Sequence, residues 1–130
     1  MRLVLDASAG VNALVPGQLR DATLQRFAAA DLFAPTLIDT EVLSALARLE
    51  RAEAITTTEA DRAVHAWSRL PFTRVPTDEL AAEIWALRKG LRISDAHYVT
   101  LARLLGAPLL TADGRLARAP VRGLSVLTVG

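Results

Sequence analysis

Apolar residues along the chain fall into two kinds of pattern. Short unbroken runs, "RLVL" at 2–5 and "PLLTA" at 108–112, have the length of buried strands and are bounded by turn-forming residues; "FTRV" at 72–75 and "LSVLTV" at 124–129 are two more. Longer stretches repeat apolar residues at helical spacing. Helices are predicted over 36–52, over 57–70 with Ala60, Val64 and Trp67 recurring, over 77–90 from a Thr77 cap to Gly90, and over 94–106 from a Ser94 cap to Gly106, with Pro108 beyond. No element is assigned between the turn at Pro16-Gly17 and Thr36. Strands separated by helices of this length pair in parallel through right-handed crossovers. The expected fold class is therefore α/β, a three-layer α/β/α sandwich around a central, mostly parallel sheet. At 130 residues and 52% hydrophobic, the chain suffices for a single domain spanning 1–130.

Against this pattern, four acids are out of place. "LVLDASAG" and "LLTADGRLARA" each set a lone aspartate, Asp6 or Asp113, directly after a strand. A turn residue explains one such acid, but ligands of open parallel sheets bind beyond the carboxyl ends of the strands, and both acids would face that rim. Glu41 falls within the apolar stripe of helix 36–52, beside Leu37, Ile38, Ala45 and Leu49, whereas Asp39 and Glu50 lie on the other side, where a solvated acid belongs. A salt bridge or a groove-edge position would explain Glu41 equally. Asp95 opens the helix that leads into the strand ending at Asp113; helix-dipole compensation is its ordinary explanation, yet its helix starts at the same rim.

Four converging carboxylates would repel one another unless a cation were present. Mg²⁺ or Mn²⁺ meets that need, because such hard ions take oxygen ligands from a few carboxylates and from substrate phosphates and can activate water for phosphodiester hydrolysis. Ser8, two residues after Asp6, and Thr111, two before Asp113, are spaced to orient those acids, or serve as plain turn and strand hydroxyls.

Composition narrows the alternatives. There is no cysteine and there are two histidines, which leaves no disulfide or thiolate site and too little imidazole for a histidine-rich zinc site. A reducing, cytoplasmic setting is expected. No run approaches the ~20 apolar residues of a membrane span, so a soluble, unprocessed chain with no membrane association is expected. The net charge of +1 conceals an asymmetry: residues 1–87 carry 12 acids and eight arginines, while residues 88–130 carry seven cations and two acids. Arginine suits bidentate phosphate contact, and Arg92, Arg115 and Arg118 flank Asp95 and Asp113, making them the candidate contacts to a phosphate group.

In order and spacing, "LDASAG", "TEVLSALARL", "SDAHYVTLARLLGAPLLTAD" and "GRLARA" resemble the blocks of PIN-domain ribonucleases, and more narrowly of VapC-type toxins of type II toxin–antitoxin pairs. The resemblance covers nearly the whole chain. It implies that Asp6, Glu41, Asp95 and Asp113 hold Mg²⁺ or Mn²⁺ and activate water, with Ser8 and Thr111 at the hydroxyl positions beside the first and last acids. It further implies an endoribonuclease acting on structured or single-stranded RNA, a homodimer, and a cognate VapB-type antitoxin whose C-terminal segment covers the acidic groove. "GVNALVPG" departs from the family pattern, since Asn12 and Pro16-Gly17 make the helix after Asp6 shorter and more polar. The alternative is a PIN-like module that binds RNA without cutting it. A signalling receiver domain fits less well, because Asp6 stands alone where that family has adjacent acids, and a haloacid-dehalogenase-like phosphatase would need an acid where Ser8 stands.

Overall fold

The computed structural model describes residues 1–119 and 121–129. Five short strands form one wholly parallel sheet in the order β3-β2-β1-β4-β5: β1 Arg2–Leu5, β2 Asp31–Pro35, β3 Thr73–Val75, β4 Leu109–Thr111 and β5 Val126–Thr128. Seven helices surround it: α1 Ala7–Leu14, α2 Arg20–Ala28, α3 Leu37–Arg51, α4 Thr57–Arg69, α5 Ala81–Ala86, α6 Ile93–Leu105 and α7 Gly114–Ala117. β1 lies at the centre, flanked by β2 and β4, and is apolar on both faces: Leu3, Val4 and Leu5 are all fully buried. The α/β class and the parallel sheet are as the sequence pattern predicts. No helix among the described residues is long and apolar enough to cross a membrane.

Two elements lie where none was assigned. α2 buries only Thr23 and Phe27, four residues apart, and β2 is a short run ending in Pro35, so neither carries much periodic signal. The predicted helix 77–90 is shorter and broken: a 3₁₀ turn, Asp78–Leu80, precedes the six-residue α5, and successive tight turns take the chain from Leu87 to Gly90. Ile84 is its one fully buried residue, so little packing holds a longer helix there. α6 is capped two residues earlier than predicted. Arg92, not Ser94, is its capping residue, and Ser94 sits inside the first turn.

Local chemistry sets the other boundaries. α4 opens with reciprocal bonds between Thr56 and Glu59, a capping box. α6 closes on Gly106 at φ +59°, where the Ala107 N–H bonds back to the Ala102 carbonyl. α1 packs closely on α3 and α4 at Gly10: a Cβ there would stand 3.2 Å from both Trp67 and Val42.

Candidate active-site groove

β1 and β4 end side by side, which brings Asp6 and Asp113 to one rim of the sheet. Asp6 is 5% exposed and caps α1, its Oδ1 accepting from the Ala9 N–H at 3.0 Å and from the Ser8 hydroxyl at 2.6 Å. Its Oδ2 accepts from the Thr111 hydroxyl. Each hydroxyl is itself an acceptor from the backbone, Ser8 Oγ from Ala112 N–H and Thr111 Oγ1 from Asp113 N–H, both at 2.9 Å. A hydroxyl has one proton, so donation by both to Asp6 leaves none for the 3.2 Å contact between Ser8 and Thr111. Hence this network stitches the ends of β1 and β4 together and presents Asp6 with donors only, the pattern that suits an ionised carboxylate. Burial pushes the Asp6 carboxyl up from its ordinary range, the bonds from Ser8, Thr111 and Ala9 pull it down, and the nearby Asp95 pushes it up again.

α3 and α6 supply the facing wall. The buried face of α3 is Ile38, Val42 and Leu46, while Leu37, Glu41, Ala45 and Leu49 form a half-buried meridian that lines the groove. Glu41 is thus a groove-wall acid rather than a residue of the buried stripe. Its Oε1 accepts from the Tyr98 hydroxyl at 2.7 Å, and burial together with this acceptor holds the Tyr98 phenol well above its usual pKa. Tyr98 is 1% exposed and lies one turn after Asp95 on α6, on the same face. That i, i+3 spacing already puts Tyr98 on the face of Asp95 in the sequence, whereas its bond to Glu41, 57 residues away, is not visible there. Asp39, expected to be solvated, instead accepts from Arg74 Nε at 2.6 Å, Arg74 Nη2 at 2.9 Å and the Trp67 indole N–H at 2.9 Å. The Arg74 guanidinium holds its carboxyl below the usual range.

All four acids, with Ser8, Asn12, Ser94, Arg92 and Arg115, line a single groove of about 810 Å³. The charge balance inside it is uneven. Asp95 and Asp113 share one cation, Arg115, whose Nη2 lies 3.2 Å from Asp95 Oδ2 and 2.8 Å from Asp113 Oδ2, and Arg92 approaches Asp95 at 3.6 Å. Arg115 also holds the Asp113 carboxyl below its usual range. Asp6 and Glu41 have only hydroxyl and backbone donors. Among the described residues, no three carboxylate or imidazole side chains come close enough together to form a ready-made metal cage. The donor set is nevertheless all oxygen: neither histidine lines the groove. Arg118, the third arginine singled out from sequence, lies in an adjoining trough with Arg92 and Arg115.

Comparison with known proteins places this geometry. The PIN domain family model matches residues 3–121. Ribonuclease VapC3 of Mycobacterium tuberculosis is 44% identical over 119 residues, covering 91% of this chain and 87% of the relative. Ribonuclease VapC9 of the same organism is 41% identical over 116 residues, covering 88% of each. Among solved structures, PAE2754 from Pyrobaculum aerophilum superposes with a TM-score of 0.69 at 22% identity, over 97% of this chain and 83% of that one. VapBC2 from Rickettsia felis, bound to a DNA fragment from its promoter, superposes with a TM-score of 0.67 at 17% identity over the whole of both chains. At those identities the superpositions speak for the fold.

Proposed function

Since the chain belongs to the PIN-domain family, in its VapC-type branch, we propose that it is an endoribonuclease, the toxin of a toxin–antitoxin pair, hydrolysing RNA phosphodiesters in the acidic groove with Mg²⁺ or Mn²⁺. The observation that carries this reading is the convergence of Asp6, Glu41, Asp95 and Asp113 on one groove from four separate elements of the chain. Hard oxygen donors without imidazole or thiolate suit those ions rather than zinc. A bound divalent ion would supply Lewis-acid polarisation of the phosphate and an activated water. Asp6, held rigidly by Ser8 and Thr111, and Glu41, held by Tyr98, are the pre-oriented ligands. Asp95 and Asp113 complete the set once Arg115 turns from them towards a substrate phosphate. Arg92, Arg115 and Arg118 would then bind the RNA backbone, and a VapB-type antitoxin would neutralise the protein by covering the groove. The reading also includes a homodimer.

The Arg115 bridge across Asp95 and Asp113 favours a second reading, an RNA-binding module without nuclease activity. Cleavage of a labelled RNA separates the two. Incubation with Mg²⁺, with Mn²⁺ and with chelator should give products only with metal, and Asp113→Asn should abolish them. Full activity in chelator would overturn the metal mechanism, and no cleavage under any condition would leave the binding module.

A further inference from the structure

Beside the acidic groove runs a second trough, of about 750 Å³, lined by five cations, Arg88, Lys89, Arg92, Arg115 and Arg118, against one acid, Asp95. The two depressions share Arg92, Asp95 and Arg115, so one leads into the other. Arg92 and Arg115 are held by groove acids, whereas Arg88, Lys89 and Arg118 have no carboxylate partner among the described residues. Trp85, a large aromatic residue that is 60% exposed, lines a neighbouring depression with Ile93 and His97 and adjoins the trough through Arg88. Arg88 lies over its ring at 4.4 Å from the centroid and donates from Nη1 to the Trp85 carbonyl at 3.1 Å. A single exposed tryptophan needs no explanation. One that adjoins a trough lined by those three cations, beside a proposed nuclease groove, matches how single strands are held, with a positive track for the phosphates and an aromatic plate for a base.

Building on the nuclease reading, we propose that this trough is the binding track for a single-stranded stretch of the RNA beyond the scissile phosphate. Arg118, Lys89 and Arg88 contact successive phosphates, and Trp85 stacks an unpaired base. The track binds without reading sequence, since phosphate contacts and stacking accept any base. Double-stranded RNA would not use it, because its bases are already stacked on one another.

The chain has two tryptophans, and the other, Trp67, is 3% exposed, so Trp67 emits as a background out of the ligand's reach and a quench by contact with RNA reports on Trp85. Titrating the full chain in an Asp6→Asn background with a 12-nucleotide oligouridylate should quench that fluorescence. Trp85→Ala should weaken binding about tenfold. Trp85→Phe should keep most of the affinity while losing the quench. Lys89→Ala should lower the log–log slope of affinity against salt by about 0.7. Unchanged affinity and salt slope in Trp85→Ala and Lys89→Ala would overturn the track, and if Trp85→Ala then changed the sedimentation coefficient, the surface would be a protein contact instead. Cleavage by the unsubstituted chain is scored separately: cleavage without quenching removes the track alone, and quenching without cleavage removes the nuclease reading alone.

Discussion

Asp6 is the residue whose two properties pull apart. It is buried beside another acid, so its negative charge costs stability, yet every neighbour donates to it. Because folding raises its pKa, the fold binds the proton more tightly than the unfolded chain does, and stability falls as pH rises through the folded value. Asp6→Asn removes that loss. The amide also fits: its oxygen can keep the Ser8 and Ala9 donors, its NH₂ can donate to Thr111 Oγ1, and the displaced Thr111 proton can turn to Ser8 across the existing 3.2 Å contact. We expect Asp6→Asn to melt at a higher temperature than the unsubstituted chain at neutral pH, by a margin that closes on acidification, while RNA cleavage drops by at least about 10²-fold. Calorimetry across pH and a cleavage assay measure the two; a lower melting temperature at neutral pH would show that the carboxylate is compensated in the fold. Thr111→Val leaves Asp6 Oδ2 without a donor and Ser8→Ala leaves Oδ1 with the Ala9 N–H alone, and each should lower kcat about 10–100-fold. Tyr98→Phe should do the same through Glu41, and unchanged kcat would make that bond purely structural.

Two helix ends test how local sequence sets boundaries. α3 and α6 finish in the same way: past the helix one residue turns left-handed, and the next N–H reaches back to a carbonyl of the last turn, Ala54 to Leu49 and Ala107 to Ala102, at 2.9 and 3.0 Å. Gly106 fills the left-handed position in α6, but Glu53, at φ +58°, fills it in α3. Glu53 is exposed and its side chain has no hydrogen-bond or ion-pair partner among the described residues, so Glu53→Gly should stabilise the chain by roughly 0.5–1 kcal/mol, read from denaturant melts. Destabilisation would mean that unfolded-state entropy outweighs the relieved strain. Gly106 is legible as a stop in the sequence; the end of α3, expected at 52 and found at Arg51 with Ala52 as its cap, is legible from the helical pattern alone, because Glu53 gives no such signal. The same logic separates the rest. Asp6 and Asp113 stand out because each follows an apolar run with no other acid near. Glu41 was picked out by its meridian, but the periodicity cannot tell a core stripe from a groove wall one residue away, and only packing puts Ile38, Val42 and Leu46 inside. Asp39 was misjudged because its partners, Trp67 and Arg74, are 28 and 35 residues distant in sequence. β2 gave little signal although it is an interior strand, because its pairing with β1 and β3, not its own composition, makes it a strand.

At the scale of the whole molecule the charge asymmetry of the sequence becomes a spatial one: acids gather at one groove, cations along the trough beside it, and Arg115 lies on their boundary with its guanidinium turned to the acids. On the proposed metal-dependent reading, a divalent ion and this guanidinium would compete for Asp95 and Asp113. Any ligand that binds the folded chain alone stabilises it, by about 2.7 kcal/mol when present at 100 times its dissociation constant. Mg²⁺ or Mn²⁺ should accordingly raise the melting temperature by several degrees over chelator. Asp95→Asn or Asp113→Asn should shrink that rise, by lowering the negative charge that draws the ion. Arg115→Ala should enlarge it in two ways: the variant loses the only cation shared by the pair, so it melts lower in chelator, and it offers the ion an uncontested pair of carboxylates, so isothermal titration should show tighter metal binding. Its RNA affinity should meanwhile fall, since the arginine that the metal would set free lines the groove. Equal melting shifts in the unsubstituted chain, Asp113→Asn and Arg115→Ala would place the ion elsewhere on the protein, and leave Arg115 as a simple structural bridge between α6 and the start of α7.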